Sequence, residues 1–284
     1  PLFAFLGWIS SKLGFGVYGA NLAGAIIFCV GLFSYCARQS NRWLALAAAV
    51  PFLIVAGAMS ANAQGMAIGV VLFVMARWRE LSLARRSVGI VVAGLFHSSA
   101  LILLTLVIVD LPISKLKKAA LAVLVGATTV WLMNRSDAIF SKYASLYVLD
   151  QTRSAPGAIF HLSLNLVPAL FMLATRGWWS RKLPHWQLIY SMSVLLIFMA
   201  FLVPFFSQAV SRMSLYFFPV SISFFAFLPR MMSSVDSRNL ARLLSVAVLA
   251  AVLTVWIGYS NQSDKYRPYQ NVLTTSVNDL DLPQ

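Results

Sequence analysis

The run GLFHSSALILL, residues 94–104, sets a histidine and two serines in the middle of the otherwise apolar stretch 88–109. An imidazole takes up or releases a proton near neutral pH, and an ionisable group inside a membrane span is costly unless it faces a partner or a cavity. Two readings of His97 follow. It is a titratable group presented to a substrate, or a neutral ring hydrogen-bonded to a neighbouring helix or to Ser98 or Ser99.

Other residues supply complementary chemistry. Arg153 and Arg212 border apolar segments where basic residues are otherwise sparse, and guanidinium groups grip phosphate through a bidentate fork. Each is also open to a simpler reading, an interfacial anchor whose head reaches back to water. His161 and Asn165 stand four apart and so share one helix face. Gln64 lies in a polar turn with Ser60 and Asn62, and Tyr143 and Tyr147 lie in the polar segment 134–158. A histidine among arginines suits a diphosphate substrate.

The elements that must position these groups are apolar helices. The chain has 284 residues, of which 60% are hydrophobic and 11% charged, and its mean hydropathy is +0.80. That places it outside the soluble globular range and among integral membrane proteins. Apolar segments at 20–36, 43–59, 64–77, 88–109, 119–133, 159–175, 187–206, 213–229 and 242–259 predict an all-α polytopic transmembrane bundle of about nine segments, because only closed backbone survives in lipid. The sequence reads as a single integral membrane domain over 1–284, with an extracytoplasmic loop at 134–158 and a polar C-terminal tail at 260–284. Its start at Pro1, with no leader pattern, reads as a fragment or a trimmed chain.

Charge sets the orientation. Lys and Arg number 22 against 8 Asp and Glu, a net charge of +14, which in a membrane protein belongs to cytoplasmic loops rather than to nucleic acid. If all nine segments cross, the basic residues divide almost evenly between the two sides. If instead 88–109 is a broken, re-entrant pair with its tip near His97, the basic loops 37–42, 77–87, 110–118, 176–186 and 230–242 share one face. The positive-inside rule is then satisfied, and Val88 to His97 rises about 15 Å, half the hydrocarbon core. Both topologies remain open at this point, and both leave His97 deep.

The absences also narrow the chemistry. None of Glu80, Asp110, Asp137, Asp150, Asp236, Asp264, Asp279 and Asp281 falls inside an apolar segment, which weighs against proton-coupled transport. There is no DxD, HExxH or P-loop pattern, and Cys29 and Cys36 are the only thiols, so neither a metal, a nucleotide nor a disulfide framework is indicated. No cofactor is expected.

The run AQGMAIGVVLFVMARWRELSLARRSVGIVVAGLFHSSALILL resembles the EpsG family, related to Wzy-type polysaccharide polymerases. Its order of features matches: a polar turn opening a helix, a basic loop, then an H-x-S-A-like segment. PLFAFLGWISSKLGFGVYGANL, FSKYASLYV and SRMSLYFF carry the resemblance from Pro1 to about residue 230. The resemblance implies transfer of glycan units from polyprenyl diphosphate to a second lipid-linked glycan, without a metal, at the outer face of a bacterial inner membrane. It implies a catalytic His97, acting as base on the acceptor hydroxyl, and substrate contacts from Gln64, Tyr143, Tyr147 and Arg212. Partners would be the polyprenyl-diphosphate-linked oligosaccharide, the bilayer, and other polysaccharide assembly and export proteins. Family members have membrane segments ahead of the PLF stretch. Where the family places the arginine of an RQ pair, this chain has Ala63, so transfer would have to proceed without that cation. Two other classes use the same residue types: a lipid-linked glycan transporter or export component, and a membrane acyltransferase that modifies glycans.

Overall fold

Each predicted apolar segment is helical in the computed structural model, which describes residues 1–59, 61–140 and 157–259 and holds no strand among them. The segments fall in α2 (Gly16–Cys36), α3 (Arg42–Ala49), α4 (Asn62–Ala76), α7 (Lys115–Phe140), α8 (Gly157–Ala174), α10 (Trp186–Ser214), α11 (Phe218–Phe227) and α12 (Val235–Tyr259), with α5 (Leu83–Phe96) and α6 (Leu104–Val109) sharing 88–109. Two further helices, α1 (Leu2–Lys12) and α9 (Arg176–Lys182), have no counterpart among the predicted segments. The α7 helix runs on to Phe140, inside the stretch read as a loop, and 141–156 and 260–284 lie outside the described residues.

The expectation of about nine membrane segments becomes a coarser count. Among the described residues four helices are long and apolar enough to cross a membrane, Gly16–Cys36, Trp186–Ser207, Ala209–Met231 and Val235–Tyr259, and several shorter apolar helices pack among them. Large apolar side chains such as Phe33, Phe201, Phe205 and Leu243 are exposed on the outside of the bundle. Such a surface is stable only against hydrocarbon. The protein is a membrane protein.

Prolines set the irregular stretches. Pro51 has no N–H for the Ala47 carbonyl, which takes the Val50 N–H instead, and the chain continues as a π-helix over Val50–Ala58. Pro204 removes the donor that the Ala200 carbonyl would use, and α10 kinks at Phe206, with φ −139° and ψ 47°. Pro219 likewise cannot serve Leu215, whose carbonyl accepts from Phe218 in the tight turn Leu215–Phe217.

The stretch 88–109 is a helical hairpin. The α5 helix stops at Phe96, His97 is extended with φ −149° and ψ 118°, and a 3-10 turn over Ser98–Leu103 leads back through α6. A Cβ on Gly94 would collide with Leu101, so the missing side chain lets the two legs close. At the other end an Arg86 guanidinium nitrogen lies 2.6 Å from an Asp110 carboxylate oxygen. The two ends of the stretch therefore meet.

The basic loops are tied together at that same end. Arg38 pairs with Glu80, Arg79 donates to the Pro184 carbonyl at 3.1 Å, and the Ser40 hydroxyl donates to the Ala226 carbonyl at 2.6 Å, just before 230–242. At the opposite end Asn62 donates to Asn21 at 2.6 Å. The bundle thus has one cationic end and one polar end of different composition.

In the core, α2 and α4 cross almost backbone to backbone. A Cβ on Gly31 would strike the Gly69 carbonyl, and a Cβ on Gly69 would lie 2.5 Å from the Ile27 carbonyl oxygen. Small residues at a helix crossing in lipid replace the missing hydrophobic drive with close van der Waals contact. Because the obstacle is backbone, Gly69→Val cannot be absorbed by a rotamer change. It is expected to abolish monodisperse protein in detergent, while Gly177→Ala, with open space around it, elutes normally on size exclusion.

At the cationic end, burial holds the His185 ring below the ordinary histidine range, and Arg79 and Arg38 push it the same way. Its Nδ1 is buried without a hydrogen-bond partner. The folded state favours the neutral ring, so its contribution to stability is present above the ordinary value of about 6.5 and is lost as pH falls through the lower folded value. The melting temperature in detergent is expected to drop on going from about pH 7.5 to about pH 5, and His185→Gln should flatten part of that drop.

Candidate functional site

A cavity of about 700 Å³ opens at the polar end of the bundle. One wall is the start of α4, with Asn62, Ala63 and Gln64; a second is the end of α5 and the hairpin tip, with Phe96, His97 and Ser98. Arg212 of α10 forms a third, and Pro1, Phe3 and Ala4 at the start of α1 close the fourth. A second cavity of about 640 Å³ between α12 and α3, α8 and α11 has an almost wholly apolar lining and offers no comparable group.

His97 reaches the cavity because the chain cannot stay helical there. Serine side chains compete with the backbone for hydrogen bonds and disfavour a helix interior, and the turn at His97 sets its ring at the hinge of the hairpin. Nδ1 lies 2.5 Å from Ser99 Oγ, which lies 3.0 Å from the Tyr216 hydroxyl. Ser99 and Tyr216 are fully buried. His97 thus combines the two readings of its sequence: it bonds to Ser99 and also lines a cavity.

Arg212 is exposed to the cavity, but its backbone is held from behind. Gln64 is buried and donates from Nε2 to the Arg212 carbonyl at 2.6 Å. Asn165 donates to the Ser214 carbonyl at 3.2 Å and accepts from the Ser221 hydroxyl at 2.6 Å. With its exposure at 0%, Asn165 is part of the frame and does not line the cavity. Three side chains from three places in the fold, Gln64, Asn165 and Ser99, converge on residues 212–216.

The structure therefore brings together His97, Gln64 and Arg212, with Ala63 on the same wall. His161 sits in α8 one turn before Asn165, and its side chain is outside what the structure describes. Arg153, Tyr143 and Tyr147 lie outside the described residues. The sequence reading missed Tyr216, although the SRMSLYFF run contains it: a tyrosine four residues after Arg212 falls on the same helix face. It also missed Asn21, whose partner Asn62 was in view, and the contribution of α1. No group of His, Cys, Asp and Glu able to hold a metal occurs among the described residues.

A model of the EpsG family matches residues 1–271. The chain belongs to the EpsG family. EpsG-like proteins are Wzy-like polysaccharide polymerases, and an EpsG-family chain with this helical membrane architecture is a membrane polysaccharide-biosynthesis protein. Comparison with curated proteins and with solved structures finds no match. Ala63 faces the cavity with a methyl group.

Proposed function

We propose that the protein is a polymerase-type glycosyltransferase that joins polyprenyl-diphosphate-linked glycan units at the outer face of the bacterial inner membrane. The observation that carries this reading is the shared cavity of His97 and Arg212 at the end opposite the tied basic loops. With those loops in the cytoplasm, the cavity faces outward, and 83–110 enters from the cytoplasmic side and returns there as a re-entrant pair with His97 at its tip. Irregular backbone at that depth is acceptable because protein and a cavity surround it.

The reaction forms a bond between an acceptor hydroxyl oxygen and the donor's anomeric carbon and breaks the bond from that carbon to the diphosphate. Negative charge grows on the departing diphosphate. Arg212 neutralises it in a site of low dielectric, where fixed charges act most strongly. Gln64 keeps Arg212 in place through its backbone, His97 contacts the reacting oxygens, and Arg153, Tyr143, Tyr147 and His161 complete the substrate contacts on the outer side. No metal ion or cofactor enters this scheme.

The test is chain extension of a purified polyprenyl-diphosphate-linked repeat unit by protein in vesicles. His97→Ala should remain folded and lose extension by about 10²–10³-fold, the usual effect of removing one group that acts on the developing charge. Extension at the wild-type rate would remove His97 from the reaction. Movement of the labelled lipid across the vesicle without lengthening would assign export instead, and consumption of an acyl donor would assign acyl transfer. Ala63→Arg adds a cation to the cavity wall and should raise extension by about 10- to 150-fold, the effect of a charge-assisted hydrogen bond of about 1.5–3 kcal/mol.

A further inference from the structure

The hydrogen-bond chain behind His97 has only one proton order that satisfies all of its buried members. Tyr216 Oη has a single hydrogen-bond partner among the described residues, Ser99, and Ser99 in turn has two, Tyr216 and His97. A phenol carries one proton and a serine hydroxyl carries one; neutral imidazole has one N–H and one bare nitrogen. If Tyr216 donates to Ser99 and Ser99 donates to Nδ1, each of these protons has an acceptor. If Nδ1–H donates instead, either the Tyr216 or the Ser99 proton is left without one inside a fully buried pocket. Buried polar groups left unmade are costly, and native structures avoid them.

We infer that Tyr216, acting through Ser99, holds His97 in the tautomer that carries its proton on Nε2. The ring is then a hydrogen-bond donor and not a base in its resting state. This rests on the proposed polymerase reading and changes the part that the sequence reading gives to His97. An N–H donor in a cavity with Arg212 fits an anionic oxygen of the diphosphate. The acceptor hydroxyl forms its bond to the anomeric carbon, the bond from that carbon to the phosphate oxygen breaks, and the hydroxyl proton leaves on a diphosphate oxygen. His97 Nε2–H and the Arg212 guanidinium stabilise that leaving group by donation, and neither gains nor loses a proton. Ser99 and Tyr216 are positioning residues.

The decisive measurement is nitrogen NMR of histidine-labelled protein in nanodiscs. The chain has three histidines, and His161→Gln and His185→Gln assign the remaining signals. His97 is expected to show a bare, pyridine-type Nδ1 and a protonated Nε2. Tyr216→Phe keeps the ring volume and should shift His97 toward a mixture of tautomers, lowering kcat with KM little changed. In the extension assay His97→Gln, which keeps an N–H donor, should retain activity well above His97→Ala. A protonated Nδ1 in the wild type, a tautomer unmoved in Tyr216→Phe, or a Gln variant as inactive as Ala would overturn the donor assignment while leaving the polymerase reading intact. Wild-type extension by His97→Ala would remove His97 from the reaction and with it the donor role, whereas no extension by the wild-type protein would overturn the polymerase reading, and the nitrogen signals would still report the tautomer.

Discussion

Where α10 ends, its backbone changes winding inside a bundle that excludes water, and the carbonyls left out of the regular pattern must find donors from elsewhere. Pro219 drives the change by withholding an N–H from Leu215. Gln64 and Asn165 supply the donors, to Arg212 and Ser214, and one turn on Tyr216 closes onto Ser99. A requirement of backbone chemistry thereby fixes the positions of an arginine, a tyrosine and, through Ser99, a histidine. The cavity exists between elements that these bonds lock in register.

The hairpin at 83–110 answers a second constraint. A helix interrupted in an apolar environment exposes backbone groups, and the cost is contained only if the interruption is packed by protein or lines a cavity. Gly94 and Leu101 interlock just before and after the turn, Ser99 is buried, and Arg86 and Asp110 neutralise each other at the far end. The turn that carries His97 is therefore supported from both directions. The same ion pair joins two of the basic loops, so the stability of the turn and the charge of the cationic end are linked.

Much of this was legible in the sequence. The apolar segments matched every long helix, and the loop charges left a broken pair with its tip near His97 as one of two open topologies, because charge placement reports topology where hydropathy alone does not. Gln64 and Arg212 were also legible, as polar residues at the edges of apolar runs. The number of full crossings was not, since Asn62–Ala76 and Leu162–Ala174 are apolar yet short and are surrounded by other helices. Asn165 was grouped with the substrate contacts because it shares a helix face with His161; its partners, a distant carbonyl and Ser221, are visible only once the helices are packed. Tyr216 was hidden for the opposite reason: within an aromatic run its hydroxyl does not stand out from its ring.

The walls of the cavity differ in how much they can change. Three of them are bound to the frame: α4 through Gln64, the hairpin through Ser99, and α10 through its own carbonyls. The fourth, at Pro1, Phe3 and Ala4, belongs to a helix whose single buried residue is Ser10. Substitutions there alter the size and polarity of the opening without breaking a bond that holds Arg212 or His97. The opening of the cavity can thus change on a short helix whose variation leaves His97, Gln64 and Arg212 where they are.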